Sequence, residues 1–101
     1  MEDLLSAAPS RRILLFTTGW CAQCTRAKEL LALRGLDFEG IDAEAIWGEA
    51  FREEIERRTG GRTVPQIVID GRPVGGYDAL LAMEQRGDLR RLAAGESTPP
   101  G

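Results

Sequence analysis

Histidine is absent from this sequence, lysine occurs once (Lys28), and cysteine occurs twice. A structural zinc site normally takes four Cys or His ligands. Two cysteines without histidine cannot close such a site within one chain, which leaves only a site shared between two chains. Long apolar runs are missing as well, so nothing approaches the roughly 20 residues of a transmembrane span. The first residues, MEDLLSAAPSRR, are acidic where a signal peptide is basic, and their apolar run is short. Positive charge is not in excess: 13 Lys and Arg face 16 Asp and Glu, a net charge of -3. That balance argues against partners such as nucleic acid or anionic membrane, whose binders carry a basic footprint. The expectation is a cytoplasmic protein. Thiols there are kept reduced, so a Cys-x-x-Cys pair points to catalysis or metal binding rather than to a structural cross-link. A link closing so short a loop would restrict little chain entropy in any case.

What remains suits one domain: 101 residues, 43% hydrophobic and 29% charged. Residues 1–11 read as a lead-in, 12–94 as the domain, and 95–101 as a flexible tail. Ile13 to Thr17 is nearly all apolar or β-branched, the pattern of a buried strand. Helical spacing follows from about Cys21 to Arg34 and stops at Gly35. A weakly patterned strand spans Leu36 to Ile41. One helix over roughly Ala45 to Arg58 carries an apolar stripe of Ile46, Ala50, Phe51 and Ile55. Val64 to Ile69 is a strand, and Asp70-Gly71 before Arg72-Pro73-Val74 signals a hairpin. Asp78 is placed to cap a helix from Ala79 to Arg86, and a further helical turn covers Leu89 to Ala93. The order β-α-β-α-β-β-α makes the chain α/β, a parallel βαβ unit joined to an antiparallel hairpin.

Both thiols, Cys21 and Cys24, fall in GWCAQCTRAK, residues 19–28. Cys21 opens the first long helix, directly after a strand and a short loop. An ordinary cysteine ionises near pH ~8.5 and is only slightly thiolate at neutral pH. First-turn N–H groups lack intrahelical partners and carry partial positive charge. A thiolate placed there gains up to ~2 kcal/mol. Cys24 lies three residues on, along the same helix face, within reach of Cys21 and deeper in the helix. Cys21 is therefore expected to attack and Cys24 to resolve the resulting mixed disulfide. Half of a shared metal site and a pair of inert core thiols stay open as alternatives. Trp20 can shield the sulfur and offer an apolar contact to a substrate, or be an ordinary packing aromatic.

GWCAQC, TRAKELLALRGLDFEGID and RRTGGRTVPQIVIDGRPVGGYDAL, in this order, resemble the glutaredoxins, members of the thioredoxin fold. The resemblance runs from about Ile13 to Leu92. It implies a four-stranded mixed sheet flanked by helices. It implies a glutathione-dependent thiol-disulfide oxidoreductase, acting through Cys21 and Cys24 on protein disulfides and glutathione-mixed disulfides. For glutathione it implies several positions. Thr63, Val64 and Pro65 look like the family's TVP segment, with a cis bond before Pro65. Gly76, Tyr77 and Asp78 resemble the helix start that holds the γ-glutamyl carboxylate. Arg52 and Arg62 fall where the family places groups for the glycine carboxylate. The chain also departs from the pattern: C-A-Q-C replaces C-P-Y-C, Thr18 replaces a lysine, and Ala79 replaces a second Asp. The missing cation implies a less acidic Cys21 thiol than in a typical member, and weaker glutathione binding. Lack of the proline admits an alternative, a [2Fe-2S] cluster held across a dimer by Cys21 and glutathione; otherwise a monomer is expected. Gln23 is similar to the residue between the cysteines of small redoxins recharged by thioredoxin reductase. A redox-inert binding module using the same groove is a third alternative.

Overall fold

Residues 12–95 are described by the computed structural model. The expected lead-in, and the tail from residue 96 onward, lie outside the described residues. β1 (Ile13–Thr17) leads into α1 (Ala22–Leu33), then β2 (Glu39–Asp42) and α2 (Ala43–Trp47). A 3-10 turn (Gly48–Ala50) joins α2 to α3 (Phe51–Thr59). β3 (Gln66–Ile69) and β4 (Arg72–Gly75) form a hairpin, and α4 (Tyr77–Arg86) and α5 (Asp88–Ala93) follow. The strands form one sheet in the order β2-β1-β3-β4. β1 is parallel to β2 and antiparallel to β3, and β3 is antiparallel to β4, where Pro73 sits opposite Val68. This is the four-stranded mixed sheet of a thioredoxin-like fold. Among the described residues, no helix is long and apolar enough to cross a membrane.

Alternation along the two inner strands builds two cores. Ile13 and Leu15 of β1 join Ile67 and Ile69 of β3 against Ala27 and Leu31 of α1 and the inner faces of α4 and α5. On the opposite face, Phe16 and Val68 pack against Ala43 of α2 and Phe51 and Ile55 of α3. Helices on both faces explain why β1 and β3 read as unbroken apolar runs. Each fully buried Leu or Ile contributes roughly 1.5–3 kcal/mol. Charge pairs brace the helical layer. Arg34 at the end of α1 donates from Nε to Oε1 of Glu84 in α4 at 2.9 Å. Buried Asp88 pairs with Arg91 and accepts from Arg86 Nη2 at 2.7 Å. The hydrogen bond from Arg34 holds the Glu84 carboxyl below its usual range, and those from Arg91 and Arg86 do the same to Asp88.

Several expectations need correction. The helix expected over 45–58 is interrupted. Gly48 sits at φ 61 and ψ -138, a conformation that ends α2 and lets the chain turn into α3. Phe51 and Ile55 are buried, but Ile46 is 60% exposed and Ala50 is exposed, so the apolar stripe is half as long as the pattern implied. β2 begins at Glu39, opposite Leu14, because Leu36 and Phe38 pack against the core from the loop instead of pairing. α4 begins at Tyr77 with Gly76 at its N-cap, and no side chain caps it, so Asp78 is a first-turn residue and not the cap. The hairpin is as expected: Asp70 and Gly71 both have positive φ, 52 and 80, as a tight two-residue turn requires.

Candidate active site

The site forms where β1 runs out. Thr17, the last residue of β1, pairs with Asp42 at the end of β2. Thr18, Gly19 and Trp20 then carry the chain to Cys21, whose φ of -102 and ψ of 110 are extended. Cys21 is thus the N-cap of α1, and the cap acceptor is sulfur: the Cys24 backbone N–H donates to Cys21 Sγ at 3.0 Å. A capping oxygen normally fills this place. The geometry puts a sulfur where first-turn N–H groups favour negative charge. Cys21 and Cys24 form a disulfide, with Cα atoms 5.2 Å apart. Cys21 is half-buried and Cys24 is 2% exposed, so an incoming substrate meets Cys21 first.

Two further segments meet this sulfur. The Val64 carbonyl oxygen lies 3.7 Å from Cys21 Sγ. The Val64–Pro65 peptide is cis, and Pro65 is buried. Gly76 then approaches Pro65 so closely that a Cβ on it would stand 3.3 Å from the Pro65 carbonyl oxygen. Gly76 and Pro65 therefore bring the two segments together. Thr63 accepts from Gln66 Nε2 at 3.3 Å. Tyr77, the first residue of α4, packs against the core, while Asp78 is exposed on the first turn. Arg52 and Arg62 come together: Arg52 Nη1 donates to the Arg62 carbonyl at 3.1 Å. The Arg62 guanidinium pairs with Glu56 at 2.8 Å, an exposed contact that a carboxylate ligand can exchange at little cost.

Some features were invisible in the sequence. Trp20 Nε1 donates to Glu44 Oε1 at 2.7 Å, and its ring meets Phe51 edge-on with centroids 6.4 Å apart. Arg52 in turn lies over the Phe51 ring at 4.8 Å. No sequence spacing links Trp20 to Glu44; the Thr17–Asp42 register brings them together. Thr18, in the same loop, is 4% exposed, and its Oγ1 is buried without a hydrogen-bond partner. Among the described residues, no group of three His, Cys, Asp or Glu side chains is placed to hold a metal ion.

Comparison with known proteins agrees with this geometry. The family model described as "Glutaredoxin" matches residues 13–74. A glutaredoxin of Pseudomonas aeruginosa is 42% identical over 80 residues, covering 79% of this chain and 93% of that protein. Glutaredoxin 3 of Escherichia coli K12 is 41% identical over 78 residues, covering 77% and 92%. In three dimensions the chain is similar to buckwheat glutaredoxin, solved as a glutathione complex. The TM-score is 0.76 at 27% identity, covering 91% of this chain and 87% of that one.

Proposed function

The chain belongs to the glutaredoxin family, and from that premise we propose that it is a glutathione-dependent oxidoreductase reducing protein disulfides and glutathione-mixed disulfides. One observation carries the reading. The half-buried Cys21 sulfur caps a 12-residue helix, accepts an N–H at 3.0 Å and is bonded to the buried Cys24. Such a sulfur is stabilised as a thiolate both when it attacks and when it leaves.

Cys21 thiolate attacks the glutathione sulfur of a mixed disulfide. The substrate's S–S bond breaks, its thiolate leaves and takes up a proton, and glutathione stays bonded to Cys21. A second glutathione thiolate then attacks the bound glutathione sulfur, giving glutathione disulfide and restoring Cys21. With a protein disulfide, Cys21 forms the mixed disulfide and Cys24 attacks the Cys21 sulfur. That releases the reduced protein and leaves the Cys21–Cys24 disulfide. Two glutathiones reduce it in turn. Glutathione binding is assigned to Thr63, Val64 and Pro65, to Gly76, Tyr77 and Asp78, and to Arg52 and Arg62. The adjacency of the first two segments and the Arg52–Arg62 contact support this. Carboxylates suit arginine forks and helix starts. The compartment that fits this chemistry is the cytoplasm, where glutathione supplies the electrons.

A coupled assay tests the proposal, using a glutathionylated peptide with glutathione and glutathione reductase, then with thioredoxin reductase alone. Turnover in the first arm is expected. Turnover only in the second would overturn the glutathione dependence, and turnover in neither would overturn the enzymatic reading.

A further inference from the structure

Trp20 immediately precedes the attacking cysteine and is 59% exposed. An exposed indole usually has rotational freedom. Here two contacts restrain it: its N–H donates to Glu44 at 2.7 Å and its ring rests edge-on against Phe51. A held aromatic loses little conformational entropy when something binds to it. Trp20 also stands one residue, about 3.8 Å in Cα spacing, from Cys21. A substrate reacting at Cys21 therefore has this exposed ring one residue away from the reacting cysteine.

The chemistry of the platform selects what binds. Indole presents the best aromatic face for a cation. A carboxylate bound to the indole N–H draws the proton toward itself and enriches the ring, and its other oxygen remains open. Glu54, Glu56, Glu84 and Asp88 each pair with an arginine. Glu44, like Glu49, Glu53 and Asp78 among others, has no arginine partner among the described residues; what sets it apart is the hydrogen bond it accepts from Trp20.

We infer that Trp20 and Glu44 form a specificity subsite for a lysine or arginine side chain flanking the disulfide cysteine of the protein substrate. The cation lies against the indole and turns its charge toward Glu44. The glutathione half of the substrate is assigned to Thr63, Val64 and Pro65, to Gly76, Tyr77 and Asp78, and to Arg52 and Arg62, of which Arg52 lies over the Phe51 ring that Trp20 also meets. The cationic peptide half is thereby read at Glu44, and the two carboxylates of glutathione at the start of α4 and at the arginines. This inference rests on the proposed activity.

The test uses three glutathionylated peptides identical except for Lys, Ala or Glu beside the cysteine, and reads kcat/KM for each. An exposed cation–π contact together with a surface ion pair corresponds to a preference of about fivefold to tenfold for Lys over Glu. That preference should shrink as salt is raised, because the pair is exposed. Glu44→Gln keeps an acceptor for the Trp20 N–H and removes the charge; its Lys-to-Glu ratio should fall toward unity. Trp20→Ala should lower the ratio as well. Because each ratio is taken within one protein, a general loss of activity does not mimic the effect. Equal rates for the three peptides in the unmutated protein would overturn the subsite, as would an unchanged ratio in Glu44→Gln. No turnover of any peptide would instead overturn the proposed activity.

Discussion

Cys24→Ser removes one sulfur and leaves the backbone N–H that reaches Cys21 at 3.0 Å. The variant isolates the effect of helix α1 on the remaining thiol. The first turn is worth up to ~2 kcal/mol to an anion in a partly buried setting. At about 1.4 kcal/mol per factor of ten, the thiolate-to-thiol ratio rises roughly thirtyfold. A cysteine that is only slightly ionised at pH 7 in water becomes about half ionised here. Iodoacetamide reacts with the thiolate, so its rate against pH reports that fraction. Folded Cys24→Ser should show its inflection well to the acid side of the same protein in urea. The thermodynamic counterpart has a definite sign. Because the fold shifts the thiol's ionisation to lower pH, the added stability is fully present above the unfolded cysteine's range, near pH ~8.5. It is lost as pH falls through the lower folded range. The denaturation midpoint of reduced Cys24→Ser should therefore rise across this window, worth up to ~2 kcal/mol. Coincident inflections in folded and denatured protein, with a flat stability profile, would refute the helix argument.

Cys21→Ser should abolish turnover of a glutathionylated peptide, whereas Cys24→Ser should retain most of it and lose reduction of protein disulfides; both are read in the coupled assay. Arg62→Ala should raise the KM for glutathione by up to about fivefold, the scale of one exposed ion pair; an unchanged KM removes Arg62 from the site. Thr18→Val replaces a buried, unpartnered hydroxyl with a methyl of similar shape. It should raise stability by about 1 kcal/mol in a urea titration, and a loss of that size would show that the hydroxyl has a partner. Asp88→Asn addresses acid stability. The arginines hold the Asp88 carboxyl below its usual range, so its contribution is present above about pH 4 and disappears as pH falls through the folded value. The variant should be less stable than the parent at pH 7, and the gap should narrow in acid; a gap that widens contradicts the assignment.

The sequence made the inner strands plain, since residues 13–16 and 67–69 are covered on both faces and read as apolar runs; the second was expected from Val64 and begins at Gln66, after the cis Val64–Pro65 peptide. The hairpin was equally plain because Asp-Gly favours positive φ at both turn positions. The cysteine pair was legible from spacing and from the strand-loop-helix context. Gly48 was not, because Ile46, Ala50, Phe51 and Ile55 keep helical spacing across it. The start of α4 was misplaced for a related reason: Asp78 is a good cap in isolation, but Gly76 takes that place against Pro65. The Trp20–Glu44 and Arg52–Arg62 contacts depend on the register of β1 with β2 and on the turn at Gly60 that ends α3. Neither is encoded by local propensity.

The outer strands of the sheet have a consequence for how the protein behaves among its own copies. β2 and β4 are four residues each; β2 carries Glu39 and Asp42, and β4 carries Pro73. Short length, charge and a missing N–H are the features that blunt an open flank against a stranger's backbone. At high concentration such a molecule offers little template for stacking into fibrils, whatever the oxidation state of its sulfurs.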